Sequence, residues 1–217
     1  MSDHFTDFAL PDTDLTRRSY EFVRQISSTA LLNHSVRTFL FGRAAGEAAG
    51  LKPGADYDEE VLFLASVLHD AGLTERGDGD QRFEVDGADL ARAFVTEQGL
   101  ADDRAQLVWE AIALHTSVGI ASRMRPEIAL THAGAGMDVI GLGVETLPAD
   151  LTDRAHAAFP RLDGGTCLTD TIVGQAVRNP AKAPLGSFPA EIVRQERPDA
   201  PVLAWRDLIA TAWQGVA

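Results

Sequence analysis

The run Val61-Leu62-Phe63-Leu64-Ala65-Ser66-Val67-Leu68 is apolar or small at every position and ends on His69 and Asp70. A helix that is apolar around its whole circumference has no solvent face, so this one belongs at the centre of whatever the chain folds into. Its end carries an imidazole and a carboxylate into the interior. There an unpaired polar group costs on the order of a few kcal/mol and an unpaired charge more. Both groups need a partner, and a divalent cation is one that would serve both.

The remaining periodicity is helical almost throughout. Asp14 reads as the N-cap of a helix carrying Tyr20, Phe22, Val23 and Ile26. A second helix is expected from about Leu31 to Ala49, closed by Gly50; it is apolar on more than one face and therefore central. Asp58 or Glu59 opens the helix that ends at His69. The segment from Gly72 to Gln81 holds three glycines and several acids, and is expected to be a mobile, exposed loop. Further helices are expected over about 86–98, from Asp102 or Asp103 to His115, and from Pro126 to Val139. Shorter ones are expected over about 151–159, 168–177, 187–197 and 202–214. Strand signals are scarce, so the expected fold is all-α.

With 217 residues, 45% of them hydrophobic, the chain can bury a sizeable core in one domain. No linker or composition shift divides it. We expect a single domain over 1–217. Its C-terminal third, from about Thr146, is a candidate lid or homo-oligomer surface.

The net charge of −13 argues against nucleic acid or an anionic membrane as partner and leaves a small-molecule substrate. The single cysteine, Cys167, excludes an intramolecular disulfide and suits a reducing compartment; it reads as a small packing residue rather than a nucleophile. The first ten residues lack a basic stretch followed by an apolar one, and no run reaches the roughly 18 apolar residues of a membrane span. A cytoplasmic location is expected.

Two more polar residues sit on apolar helices. His34 lies in the middle of the central second helix. Asp138 lies near the end of the helix that begins at Pro126, just after Ala133-Gly134-Ala135-Gly136. Two glycines inside a helix cost about 1 kcal/mol each relative to alanine, a cost that makes sense if the backbone must approach another helix closely. His132 points about 120° away from Thr131 and Asp138 and is the weaker candidate. His34, His69, Asp70 and Asp138 are therefore the candidate metal ligands.

His115, at the end of its helix, is a candidate proton donor or substrate contact; otherwise it is a histidine stabilised by the helix dipole. Asp70 is a candidate proton shuttle. Glu75, Glu84 and Asp86 read as loop or first-turn acids, although Glu84 lies between Phe83 and Val85, where an acid could be partly buried. His4 and His156 have no evident role. There is no Gly-x-Ser-x-Gly elbow and no glycine-rich phosphate loop.

The order His34, then His69-Asp70, then Asp138 resembles the HD-domain metal-dependent hydrolase superfamily. The phrases Leu32-Asn33-His34-Ser35-Val36-Arg37, Leu68-His69-Asp70-Ala71-Gly72-Leu73-Thr74, Arg82-Phe83-Glu84-Val85-Asp86-Gly87-Ala88, Ala113-Leu114-His115-Thr116-Ser117 and Met137-Asp138-Val139-Ile140-Gly141 resemble its cyanamide hydratase-like branch over about residues 16–141. The resemblance implies a domain core over about 16–141, followed by a C-terminal helical extension over about 146–217. It implies an HD-type helical bundle holding one divalent ion, with zinc first and iron, manganese or cobalt also compatible with the donor set. It further implies water activated by that ion adding to a small nitrile-like or amide-like molecule. The nucleotide-cleaving branch tends to carry a glutamate three residues after the Asp of the dipeptide; here that position is Leu73. Two other readings stand beside this one: an HD-type phosphohydrolase, and a non-catalytic module merely stabilised by a metal.

Overall fold

The structure, a computed structural model, describes residues 4–162, 165–199, 204–213 and 215. Among the described residues the regular elements are helices, and the extended pairing amounts to an isolated bridge between Pro53 and Tyr57. The α-helices are α1 (His4–Asp7), α2 (Asp14–Ile26), α3 (Thr29–Ala48), α4 (Glu59–Leu68), α5 (Phe83–Glu97), α6 (Asp102–Leu114), α7 (Pro126–Ile140), α8 (Ala149–Ala158), α9 (Thr166–Arg178), α10 (Phe188–Glu196) and α11 (Trp205–Thr211). The all-α expectation holds. The short α1 was not foreseen, and the ends of the helix expected over 202–214 lie outside the described residues.

The cap of α2 is Thr13, with Asp14 as the first helical residue rather than the cap. Thr13 has extended backbone, and its hydroxyl accepts from the Thr16 amide while the Thr16 hydroxyl accepts from the Thr13 amide. That reciprocal pair satisfies two end groups at once. Asp58 caps α4 by accepting from the Val61 amide at 3.1 Å.

As its composition requires, α4 is buried on every side from Val61 to Leu68. It packs against α2, α3, α6 and α7. Phe63 at its centre meets Phe39 of α3 edge to face, with ring centroids 5.1 Å apart. Helices α3 and α7 approach each other closely. A Cβ on Gly42 would lie 2.5 Å from the Leu130 carbonyl oxygen, and one on Gly134 would run into the Thr38 carbonyl oxygen. Gly134 therefore does what its sequence context suggested. Gly136 does not, since a Cβ there would meet nothing nearer than the Leu142 side chain at 3.9 Å.

The stretch expected to be a mobile, exposed loop is exposed in part, at Glu75, Arg76 and residues 78–81, and packed inward at its start. It contains two 3-10 turns, Ala71–Leu73 and Glu75–Gly77, in which Ala71, Gly72, Leu73, Thr74 and Gly77 are buried. Its glycines permit close packing, and Asp78 and Asp80 are paired with Arg178 and Asn179, about a hundred residues further on. No helix among the described residues is long and apolar enough to cross a membrane.

Candidate metal centre

Consecutive residues on a helix diverge by about 100°, so His69 and Asp70 can share a target only where the helix stops. It stops here. His69 is the C-cap of α4 with helical backbone, whereas Asp70 has φ −102° and ψ 15° and starts the turn that follows. From the neighbouring helix α3, His34 points at the same place. His34 Nε2 lies 3.1 Å from His69 Nε2 and 3.4 Å from Asp70 Oδ2, and His69 Nε2 lies 3.2 Å from the same carboxylate oxygen. All three residues are buried.

The opposite ring nitrogens decide what this triangle can hold. His69 Nδ1 donates to the Ser66 carbonyl at 2.7 Å, and His34 Nδ1 donates to Asp138 Oδ2 at 2.7 Å. Each neutral imidazole has one N–H, so both Nε2 atoms present lone pairs. Two lone pairs and a carboxylate oxygen within 3.4 Å of one another repel unless a positive charge lies among them. Without a metal that charge is a proton. Burial pushes His34 down, but Asp138 and Asp70 hold it up at about 9, while Asp70, despite its burial, is held well below the usual carboxylate range by His69 and His34.

A divalent ion fits the same triangle. Tetrahedral zinc with bonds of about 2.0–2.1 Å has donor–donor edges of about 3.3–3.4 Å, close to the edges seen here. Two nitrogens and one oxygen would leave the fourth position of such a site for water.

Asp138 does not join the triangle. It stands behind His34, its carboxylate bound by His34 Nδ1, by Arg37 Nε at 2.5 Å and by Arg37 Nη2 at 2.7 Å. Although Asp138 is buried, His34 and Arg37 hold its carboxyl far below the usual range. This is the arrangement in which a carboxylate fixes the tautomer and orientation of a ligating histidine. Sequence reasoning placed Asp138 at the right end of α7 but could not tell one side of the His34 ring from the other.

Arg37, whose Nη1 also donates to the Phe159 carbonyl at 2.6 Å, is a site residue that sequence reasoning missed. The signal was weak but present: an arginine one turn after His34, in the middle of a central helix that is apolar on more than one face, needs a counter-charge if it is buried.

His115 closes the other side. It is the C-cap of α6; its Nδ1 donates to the Ile112 carbonyl at 2.6 Å and its Nε2 lies 3.6 Å from Asp70 Oδ1. Burial, with His69 adding to it, pushes His115 down to about 4. The ring is therefore neutral and offers a lone pair to the site. His132 is not at the centre; its Nδ1 donates to the His115 carbonyl at 2.6 Å. Glu84 is fully buried, bound by Arg82 Nη2 and by the Thr116 hydroxyl, each at 2.6 Å, next to His115 rather than in the triangle. Glu75 is exposed on the second 3-10 turn. Asp86 is paired with Lys182. His156 Nε2 lies 4.0 Å from Asp138 Oδ1, on the far side from the triangle, and His4 packs on Phe159. Cys167 is half-buried near the start of α9.

A helical bundle that brings a histidine from one helix against a His-Asp pair at the end of another defines a class of metal-dependent proteins. The HD domain family matches residues 31–157, more than half of the chain, and the chain belongs to it. The chain is similar to two cyanamide hydratases of Saccharomyces cerevisiae (strain ATCC 204508 / S288c), DDI2 and DDI3. Each is 25% identical over 173 residues, covering 78% of this chain and 76% of the relative.

Proposed function

We propose that this HD-domain protein is a metal-dependent hydratase, most simply with zinc, that adds water across a small uncharged nitrile-like or amide-like group, cyanamide being the first candidate. The observation that carries the reading is the triangle of His34 Nε2, His69 Nε2 and Asp70 Oδ2, with both Nδ1 hydrogens committed elsewhere. These residues would hold the ion, which supplies a water whose pKa is lowered from about 15.7 to near 7.

The chain's own groups have separate tasks. Asp138, locked by Arg37, keeps His34 in the tautomer that turns Nε2 inward. The His69 ring is held likewise by the Ser66 carbonyl. Neutral His115 takes a proton from water at Nε2 as the carbon–oxygen bond forms, then returns it to the substrate nitrogen, so that water adds with no net proton change.

The surroundings favour an uncharged substrate. Leu73 packs with Leu31, Phe83 and Ile172 in a second apolar cluster, and Phe83 lies edge-on to His115 with ring centroids 5.6 Å apart. Guanidinium groups near the site are engaged, Arg37 with the Asp138 carboxylate, Arg161 with the Asp138 carbonyl and Arg82 with Glu84. Free cationic groups would favour a phosphate, and Leu73 stands where the nucleotide-cleaving branch tends to carry a glutamate. The relatives named as cyanamide hydratases support the same choice.

The test is a pair of assays on zinc-loaded protein: urea formed from cyanamide, and phosphate released from a panel of nucleotides. Urea without phosphate supports the hydratase. Phosphate without urea makes the protein a phosphohydrolase, and neither makes it a metal-stabilised module.

A further inference from the structure

The segment that follows Asp70 is gripped by a part of the chain beyond the HD match. Lys182, at the end of the 3-10 turn Pro180–Lys182, is 3% exposed. Its ammonium donates to Asp86 Oδ2 at 2.6 Å and to the Gly79 carbonyl at 2.9 Å, and it lies 2.9 Å from Asp78 Oδ1. Three acceptors use all three of its hydrogens. Helix α9 adds a second grip, with Gln175 Nε2 donating to the Gly72 carbonyl at 2.8 Å and Arg178 Nη2 to Asp78 Oδ2 at 2.7 Å.

These contacts reach the metal centre through tightly packed backbone. Asp86 is followed by Gly87, where a Cβ would lie 2.8 Å from the Gly72 nitrogen and 3.5 Å from the His69 carbonyl oxygen. A Cβ on Gly72 would in turn run into the Phe83 carbonyl oxygen. The first turn of α5 therefore rests directly on the backbone of His69 and Gly72, on either side of Asp70. A buried ion pair contributes little net stability compared with apolar packing, and its best-attested use is to impose one arrangement among several.

We propose that Lys182 is a positioning residue of the metal centre. By neutralising Asp78 and Asp86 it holds residues 72–86 and the start of α5 against the backbone of His69 and Gly72, and so keeps Asp70 in reach of both imidazoles. Gln175 is its auxiliary. The inference rests on the metal reading of His34, His69 and Asp70, and it makes α9 and the turn after it part of the site although they lie outside residues 31–157.

The experiment compares Lys182→Met and Gln175→Leu with the parent full-length chain. It measures zinc affinity by competition with a chromophoric chelator, amide hydrogen exchange over residues 69–74 in metal-free protein, and thermal midpoint. Lys182→Met should weaken zinc binding about tenfold and speed exchange over 69–74 by about tenfold. Gln175→Leu should move both in the same direction by about threefold. A purely structural role would lower the thermal midpoint and leave affinity and local exchange within about twofold of the parent, and that result overturns the proposal. Should Lys182→Met not fold, Gln175→Leu decides by the same two readouts. Should the parent take up no zinc, the metal reading fails separately and the exchange data alone decide whether Lys182 braces the segment.

Discussion

His34 Nδ1 donates to Asp138 Oδ2 at 2.7 Å, and that hydrogen bond turns the other ring nitrogen to within 3.1 Å of His69 Nε2. The carboxylate thus stands outside the triangle and sets the direction of one of its corners. Its removal should loosen a metal site rather than delete it. Asp138→Asn is expected to lower zinc affinity by about 10- to 100-fold, whereas His69→Ala or Asp70→Ala should leave no stoichiometric metal. Elemental analysis combined with chelator competition separates the two cases. Complete loss of metal in Asp138→Asn would put Asp138 in the coordination set itself.

His115 should divide activity from metal content. Its Nε2 faces Asp70 Oδ1 at 3.6 Å, outside the His34-His69-Asp70 triangle. His115→Gln is expected to lower kcat for cyanamide hydration by about 10²- to 10⁴-fold with zinc bound at parental stoichiometry. Loss of the metal along with the activity would reassign His115 as a ligand.

The two glycines of α7 should behave oppositely. A methyl group at Gly134 has no space against α3, so Gly134→Ala should cost about 1–3 kcal/mol. Gly136→Ala meets open space near Leu142 and should be neutral or stabilising by up to about 1 kcal/mol. Urea denaturation of the two variants side by side checks the contrast.

Tyr57 should make the fold sensitive to alkali. It is buried and its hydroxyl has no hydrogen-bond partner among the described residues, while burial, with Glu59 adding to it, pushes the group up to about 12. A group whose folded value is raised favours the folded state fully below its unfolded value, near 10, and loses that contribution as pH climbs through 12. Stability should therefore fall between pH 10 and 12 in the parent, and fall less in Tyr57→Phe. Near neutral pH the variant should be as stable as the parent or more so, because it removes an unsatisfied buried hydroxyl. Denaturant midpoints at pH 8, 10.5 and 12 test both statements; an equally steep fall in Tyr57→Phe would assign the alkaline loss to other groups.

Much of this was legible before any coordinates. The helices α3, α4, α6 and α7 fall within a few residues of where periodicity put them, because each alternates polar and apolar groups with a helical period or is apolar throughout. The burial of His69 and Asp70 followed from the eight residues before them, since a helix with no solvent face must deliver its end to the interior. What misled was local composition. Glycine and acid between Gly72 and Gln81 looked like exposed loop throughout, yet Gly72, Leu73, Thr74 and Gly77 are buried, Asp78 is paired with Lys182 and Arg178, and Gly72 and Gly77 admit neighbouring backbone.

The sequence alone therefore determined an all-α chain with a histidine and a His-Asp pair inside it, because hydrophobic periodicity acts over a few residues and is written into them. The tertiary structure decided which atoms meet. Asp138 lies 104 residues from His34 and Lys182 lies 96 from Asp86. Whether a carboxylate approaches Nδ1 or Nε2, or a lysine closes on two acids, depends on helix packing set by contacts such as that between Gly42 and Gly134. Such contacts join residues far apart in the chain, and no local pattern encodes the side from which a side chain arrives.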